Sequence, residues 1–243
     1  MKILPLSGAL VALAGTLAAQ PRSPNSLPPA LPAAPSAARP DPSRVQPYRQ
    51  SLRMVMVRGN HEQEIGSLDD AVVLADDNGK PAIIRIQSVN GPTGAMIDTA
   101  VADAGSLAPR WHSSWAENRI LRLQFAPGRV TGTYKDAGEP PIDINQQVAE
   151  NLFDANMLDV LICALPLVEG YQGRFTIYLY EVGGPTPVDV AVTGSESIDG
   201  TDTWITGVTI SGHTARYYVG KTDHRVARIV SSPSPGVELR LVR

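Results

Sequence analysis

DANMLDVLICALPLVEGYQGRFTIYLY, residues 154–180, joins a helical pattern to a strand pattern across a single proline. Leu158, Leu161, Ile162 and Leu165 stand at i, i+3, i+4 and i+7, the apolar stripe of a 3.6-residue helix. Asp154 suits the N-cap, where its carboxylate can accept the orphan N–H groups of the first turn. Pro166 has no N–H to donate, so the helix should stop just before it. From Gly173 the period becomes two, with Phe175, Ile177 and Leu179 on one face and Thr176, Tyr178 and Tyr180 on the other. A lone apolar helix among strands has to bury its stripe against a sheet.

Strand patterns continue in both directions. Upstream, SLRMVMVRG alternates from Ser51, and Asp77-Asn78-Gly79 between AVVLA and AIIRI is a strong hairpin signal. GAMIDTAVA, RWHSSWA, RILRLQFA and RVTGTYKD follow, and Asn145 to Ala164 is expected to be helical, in one piece or two. Downstream, TPVDVAVTGSESI, TDTWITGVTI, HTARYYVG, RVARIVSS and VELRLVR alternate with turn residues every 8–12 positions, the spacing of an antiparallel meander. The expected fold is mainly β: a single domain over 48–243, a curved antiparallel meander sheet in half-barrel form with one covering helix.

The first 47 residues read differently. Residues 1–19 have the Lys2, apolar and small-residue order of a cleavable signal peptide, with too short and diluted an apolar run to span a bilayer. Residues 20–47 are rich in Pro, Ala and Ser, the composition of a disordered or polyproline II linker. No Cys follows the apolar run, so lipid attachment there is not expected. The mature chain is expected to be periplasmic or secreted, without a transmembrane segment. From residue 48 onward, 17 Lys and Arg stand against 23 Asp and Glu, a net charge of −6. With no basic run, nucleic acid and anionic membrane surfaces are poor partners.

Reactive-group motifs do not survive inspection. His61-Glu62-Gln63-Glu64-Ile65 lacks the second imidazole of a zinc-protease helix, since Ile65 stands where it is needed. Gly194-Ser195-Glu196-Ser197 lacks the glycine two residues after the serine of a nucleophile elbow. His213 and His224 have no further ligands nominated beside them. Asp69-Asp70 and Asp76-Asp77 are adjacent pairs, which a strand points to opposite faces. Cys163, the single cysteine, lies in the apolar helix and reads as a small buried hydrophobe. No catalytic residue, metal ligand or cofactor is expected.

What remains is an apolar surface. The stripe of Leu158, Leu161, Ile162 and Leu165 should face Phe175, Ile177, Leu179 and Trp204, with Trp111 and Trp115 as an aromatic rim at any mouth. Leu158-x-x-Leu161-x-x-x-Leu165-Pro166-Leu167-x-x-Gly170, with the later YYVGKTDHRVARIV, resembles a family of exported bacterial β-proteins of unknown function. That family is in turn similar to the lipoprotein-localisation carriers (LolA and LolB), a resemblance that implies a half-barrel with a helical lid over acyl chains. The expectation is a non-enzymatic envelope protein binding a lipid or other apolar ligand between sheet and helix. The alternative is a structural or protein-interaction β-module, docking an envelope partner, with a filled core and no small ligand.

Overall fold

The structure, a computed structural model, describes residues 36–92 and 94–243. The segment expected to be a signal peptide, residues 1–19, and the first part of the expected linker lie outside the described residues. The strands are β1 (Ser36–Ala37), β2 (Tyr48–Arg58), β3 (His61–Asp77), β4 (Lys80–Gly91), β5 (Gly94–Asp103), β6 (Pro109–Ala116), β7 (Arg119–Ala126) and β8 (Arg129–Asp136). Then come β9 (Ile142–Gln147), β10 (Leu152–Asp154), helix α1 (Leu158–Cys163), β11 (Gln172–Leu179) and β12 (Gly184–Ile198). β13 (Thr201–Ile210), β14 (His213–Gly220), β15 (Val226–Ser234) and β16 (Val237–Val242) complete the chain.

All the strands belong to one open sheet, in the order β11-β12-β13-β14-β15-β16-β2-β3-β4-β5-β6-β7-β8-β9. β1 and β10 both lie parallel on the outer edge of β11. The other pairings along the path are antiparallel, and β16 beside β2 brings the first long strand and the last together in mid-sheet. The chain thus runs from the middle to one end, crosses over through β10 and α1, and returns from the other end.

That crossover requires strong curvature. Fourteen strands about 4.8 Å apart would set the ends of a flat sheet roughly 60 Å apart. Yet Gln147 at the end of β9 and Leu152 at the start of β10 are joined by a connection that reaches at most about 18 Å. The sheet therefore curls until its two ends are neighbours. The Asn78-Gly79 turn is as the sequence predicts: both residues have positive φ, 54° and 79°, and the Asp76 carboxylate accepts the Gly79 N–H at 2.6 Å.

The helix is shorter than the pattern suggests. Residues 145–147 continue β9 and Leu152–Asp154 form β10, so only a 3₁₀ turn (Ala155–Met157) and α1 are helical within 145–164. Six residues cannot hold a helix in isolation. Its ends are held instead by tertiary contacts. Asp154 accepts the Asn156 N–H at 3.1 Å, as expected of an N-cap. At the other end the Asp41 N–H donates to the Ala164 carbonyl at 2.8 Å, and Arg44 Nη1 donates to the Leu165 carbonyl at 3.1 Å.

Those two donors belong to the segment expected to be a linker. Ser36–Ala37 pairs with Gly173–Arg174, the Ala38 N–H donates to the Arg174 carbonyl at 2.8 Å, and Val45 is buried in the core. The end of the Pro/Ala-rich stretch is thus a strap laid over the C-terminal end of α1 and the edge of β11.

Candidate functional site

The face of the sheet that carries α1 holds the main core. Leu158, Leu161, Ile162 and Leu165 are at most 3% exposed, and they pack in one cluster with Phe175, Ile177 and Leu179. Trp204 joins that cluster at its border, half-buried, with the Lys221 ammonium 4.1 Å from its ring centroid. Trp111 and Trp115 do not belong to it. Along β6 they alternate with His112 and Ser114, and it is His112 and Ser114 that point to the helix side. Trp115 is 53% exposed on the opposite face, so the two tryptophans form no rim around this interior.

Charge is buried under the helix. Arg85, on the inner face of β4, donates from Nε to Asp70 Oδ1 at 2.9 Å and from Nη1 to the Asn156 carbonyl at 2.6 Å. Its Nη2 donates to Asp159 of α1. Tyr48 completes the group, its hydroxyl donating to Asp70 Oδ2 at 2.7 Å. Burial disfavours the Arg85 charge, but Asp159 and Asp70 outweigh it and hold the guanidinium protonated. The result is a bolt from sheet to helix. Burial likewise raises the Cys163 thiol pKa, which leaves it a poor nucleophile.

A second polar cluster lies where β5 and β6 meet the start of the helical turn. His112 Nδ1 is 3.3 Å from Asp154 Oδ1, and Nε2 is 3.9 Å from Asp98 Oδ1. The imidazole side chain is 11% exposed and both carboxylates are 2% exposed. Burial works against the charged imidazolium, but Asp154 and Asp98 together raise its pKa to about 10. The cluster borders a small cavity of about 20 Å³, room for a water molecule, lined also by Ser114, Asn156 and Tyr178. A histidine whose folded pKa lies above its ordinary 6.5 stabilises the fold fully below about pH 6.5, and that contribution is lost as pH rises through about 10. The difference in urea midpoint between the parent protein and His112→Gln should therefore shrink between pH 6 and pH 10. A constant difference across that range would show that the imidazolium is not what ties Asp154 to the sheet.

Larger cavities lie elsewhere, one of them beside Val57, Ser232 and Glu238. Where the curled sheet's two ends meet, the β7–β8 turn and the β9–β10 connection bound a space of about 330 Å³. Its lining is mixed, about as polar as apolar: Ala108, Pro109, Phe125, Val130, Val148 and Leu152 stand beside Glu150 and Asn151. That volume lies at the lower end of small-ligand sites. None of the residues expected to bind a ligand lines it.

The signals for these residues were partly present in sequence. Arg85 interrupts the apolar run AIIRI, and His112 sits two residues before Ser114 between two tryptophans. Asp159 and Asp154 are distant in sequence, so their pairings with Arg85 and His112 are created by the crossover, whereas Asp98 is the diagonal neighbour of His112 across the β5–β6 hairpin. Among the described residues, no group of three or more His, Cys, Asp or Glu is arranged to hold a metal ion, and no helix is long and apolar enough to cross a membrane.

The model of a protein family of unknown function, DUF3108, matches residues 57–237, about three quarters of the chain. No curated protein and no solved structure matches it.

Proposed function

The chain belongs to this DUF3108 family of unknown function, and we propose that it is a non-enzymatic exported envelope protein that binds an apolar ligand, a lipid or acyl chain, within a half-barrel of the LolA/LolB kind. The observation that supports this reading is the cavity of about 330 Å³ whose walls include the apolar side chains of Phe125, Val130, Val148 and Leu152. The ligand position differs from that expected from sequence, because the helix stripe is packed into the core and the space lies at the junction of the sheet's ends. Burial of an acyl chain there contributes about 0.8 kcal/mol per CH₂. Native mass spectrometry of protein purified from its own envelope should find a co-purifying lipid, and Val130→Trp should reduce its occupancy. A lipid-free protein that also leaves a fluorescent fatty acid unbound would end this reading.

A second reading, an interaction module, has its own support. Over part of β4, β5 and β6 the usual pattern is inverted. Arg85, Gln87, Asp98 and Ser114 are buried on the helix side, while Ile86, Ile97 and Trp115 are 41–53% exposed on the other. Ile97 and Trp115 are directly paired across β5 and β6, and Ile86 is their diagonal neighbour on β4. A contiguous exposed apolar face of this kind suits a protein partner.

A further inference from the structure

We infer that the ends of the curled sheet form a lateral gate, and that opening occurs at this seam rather than by lifting of the helix. The inference rests on the apolar-ligand reading for its purpose, but its geometry stands alone. Every neighbouring pair from β11 round to β9 is joined by a backbone ladder. Between β9 and the β10–β11 edge, no ladder is present among the described residues. Among the described residues that gap is closed by side chains and by the short β9–β10 connection, and an ion pair crosses it, with Arg119 Nη1 of β7 3.9 Å from Glu181 Oε1 just beyond β11. The Tyr178 hydroxyl donates to Gln146 Oε1 at 3.1 Å, the Tyr134 and Tyr180 rings lie 4.7 Å apart, and Phe125 meets Tyr178 edge-on at 5.9 Å. Beneath them, Leu121, Leu123, Val130, Leu152 and Tyr178 make a small cluster separate from the main core. Gly184 lets the strands approach: a Cβ there would come within 2.7 Å of the Gln146 amide.

The helix, by contrast, is fastened at every point that a lid would have to free. Arg85 holds Asp159 and the Asn156 carbonyl from the sheet, His112 holds Asp154, and the strap caps the Ala164 and Leu165 carbonyls. Lifting it would part the buried Arg85 from Asp159 and strip the leucine stripe out of the main core. Parting the seam also separates charges, Arg119 from Glu181 and His112 from Asp154 of β10, but the apolar surface it exposes is one small cluster, whereas lifting the helix unpacks the main core. Local opening follows the cheaper route. The cavity beside Phe125 and the small His112 cavity lie on either side of the wall that parts, formed by Tyr178, Leu123, Val130 and Leu152.

Cys163, buried in α1, supplies a natural reference for helix opening. In the Leu123→Cys protein, peptide mass mapping after timed exposure to a thiol reagent under native conditions reads both openings in one molecule. The introduced thiol should react about 100-fold faster than Cys163. Adding Tyr178→Phe, which removes the hydrogen bond to Gln146, should speed the introduced thiol a further threefold to tenfold, roughly one hydrogen bond's worth, and leave Cys163 unchanged. Equal rates at the two thiols, or a faster Cys163, would overturn the gate. Leu121→Cys offers the same comparison if Leu123→Cys does not fold. A fluorescent fatty acid should enter Tyr178→Phe faster than the parent. If neither protein takes up that probe, the ligand reading fails while the thiol rates still decide where the sheet opens.

Discussion

Arg85→Leu is expected to lower stability by about 3–5 kcal/mol, read as a lower denaturant midpoint at unchanged m-value. The change leaves Asp70 and Asp159 facing one another under the helix with no cation between them. It also orphans the Asn156 carbonyl at the helix entrance. The triple replacement Arg85→Met, Asp70→Leu, Asp159→Leu should be less destabilised than the single one, because it removes the stranded charges together with their partner. The loss would then be partial, since the Tyr48 hydroxyl still loses its acceptor. A triple variant as unstable as the summed single changes would show that the network contributes by net attraction, not merely by mutual compensation.

Leu161→Ala should cost about 2–5 kcal/mol, the range for emptying a tightly packed core position. Leu161 has no exposed surface and sits amid Phe175, Ile177 and the other stripe residues. A loss below about 1 kcal/mol would mean that the leucine ridge borders a hollow that can adapt, and would return the ligand to the space between helix and sheet. Trp115→Ala, on the half-exposed outer face, should stay within about 1 kcal/mol and gives the contrast. The two measurements together locate the core by energetics.

Much of the architecture was legible because it is written in local periodicity. The Asn78-Gly79 turn, the stop at Pro166 and the alternation of β11 each depend on neighbouring residues alone. The Asn145–Gln147 segment was misread because its polar residues favour neither helix nor strand strongly. Pairing with β8, with Thr131 opposite Asn145, settled it. The face assignment of β6 failed for a different reason. A period of two defines two faces without saying which is inward. Hydrophobicity favoured Trp111 and Trp115, but Asp98 and Asp154 provide buried partners for His112, and those turn the strand the other way.

By itself, then, the amino-acid order determined a β-rich chain, one proline-terminated apolar helix and the absence of any complete short catalytic motif, because each is a property of a few adjacent side chains. Only the tertiary structure decided that the strap caps the helix, that charge is buried beneath it, and that a cavity opens at the junction of the sheet's ends. Those features arise from residues as far apart as Asp41 and Ala164, or Gln146 and Tyr178, brought together when the sheet curls and the chain crosses between its ends.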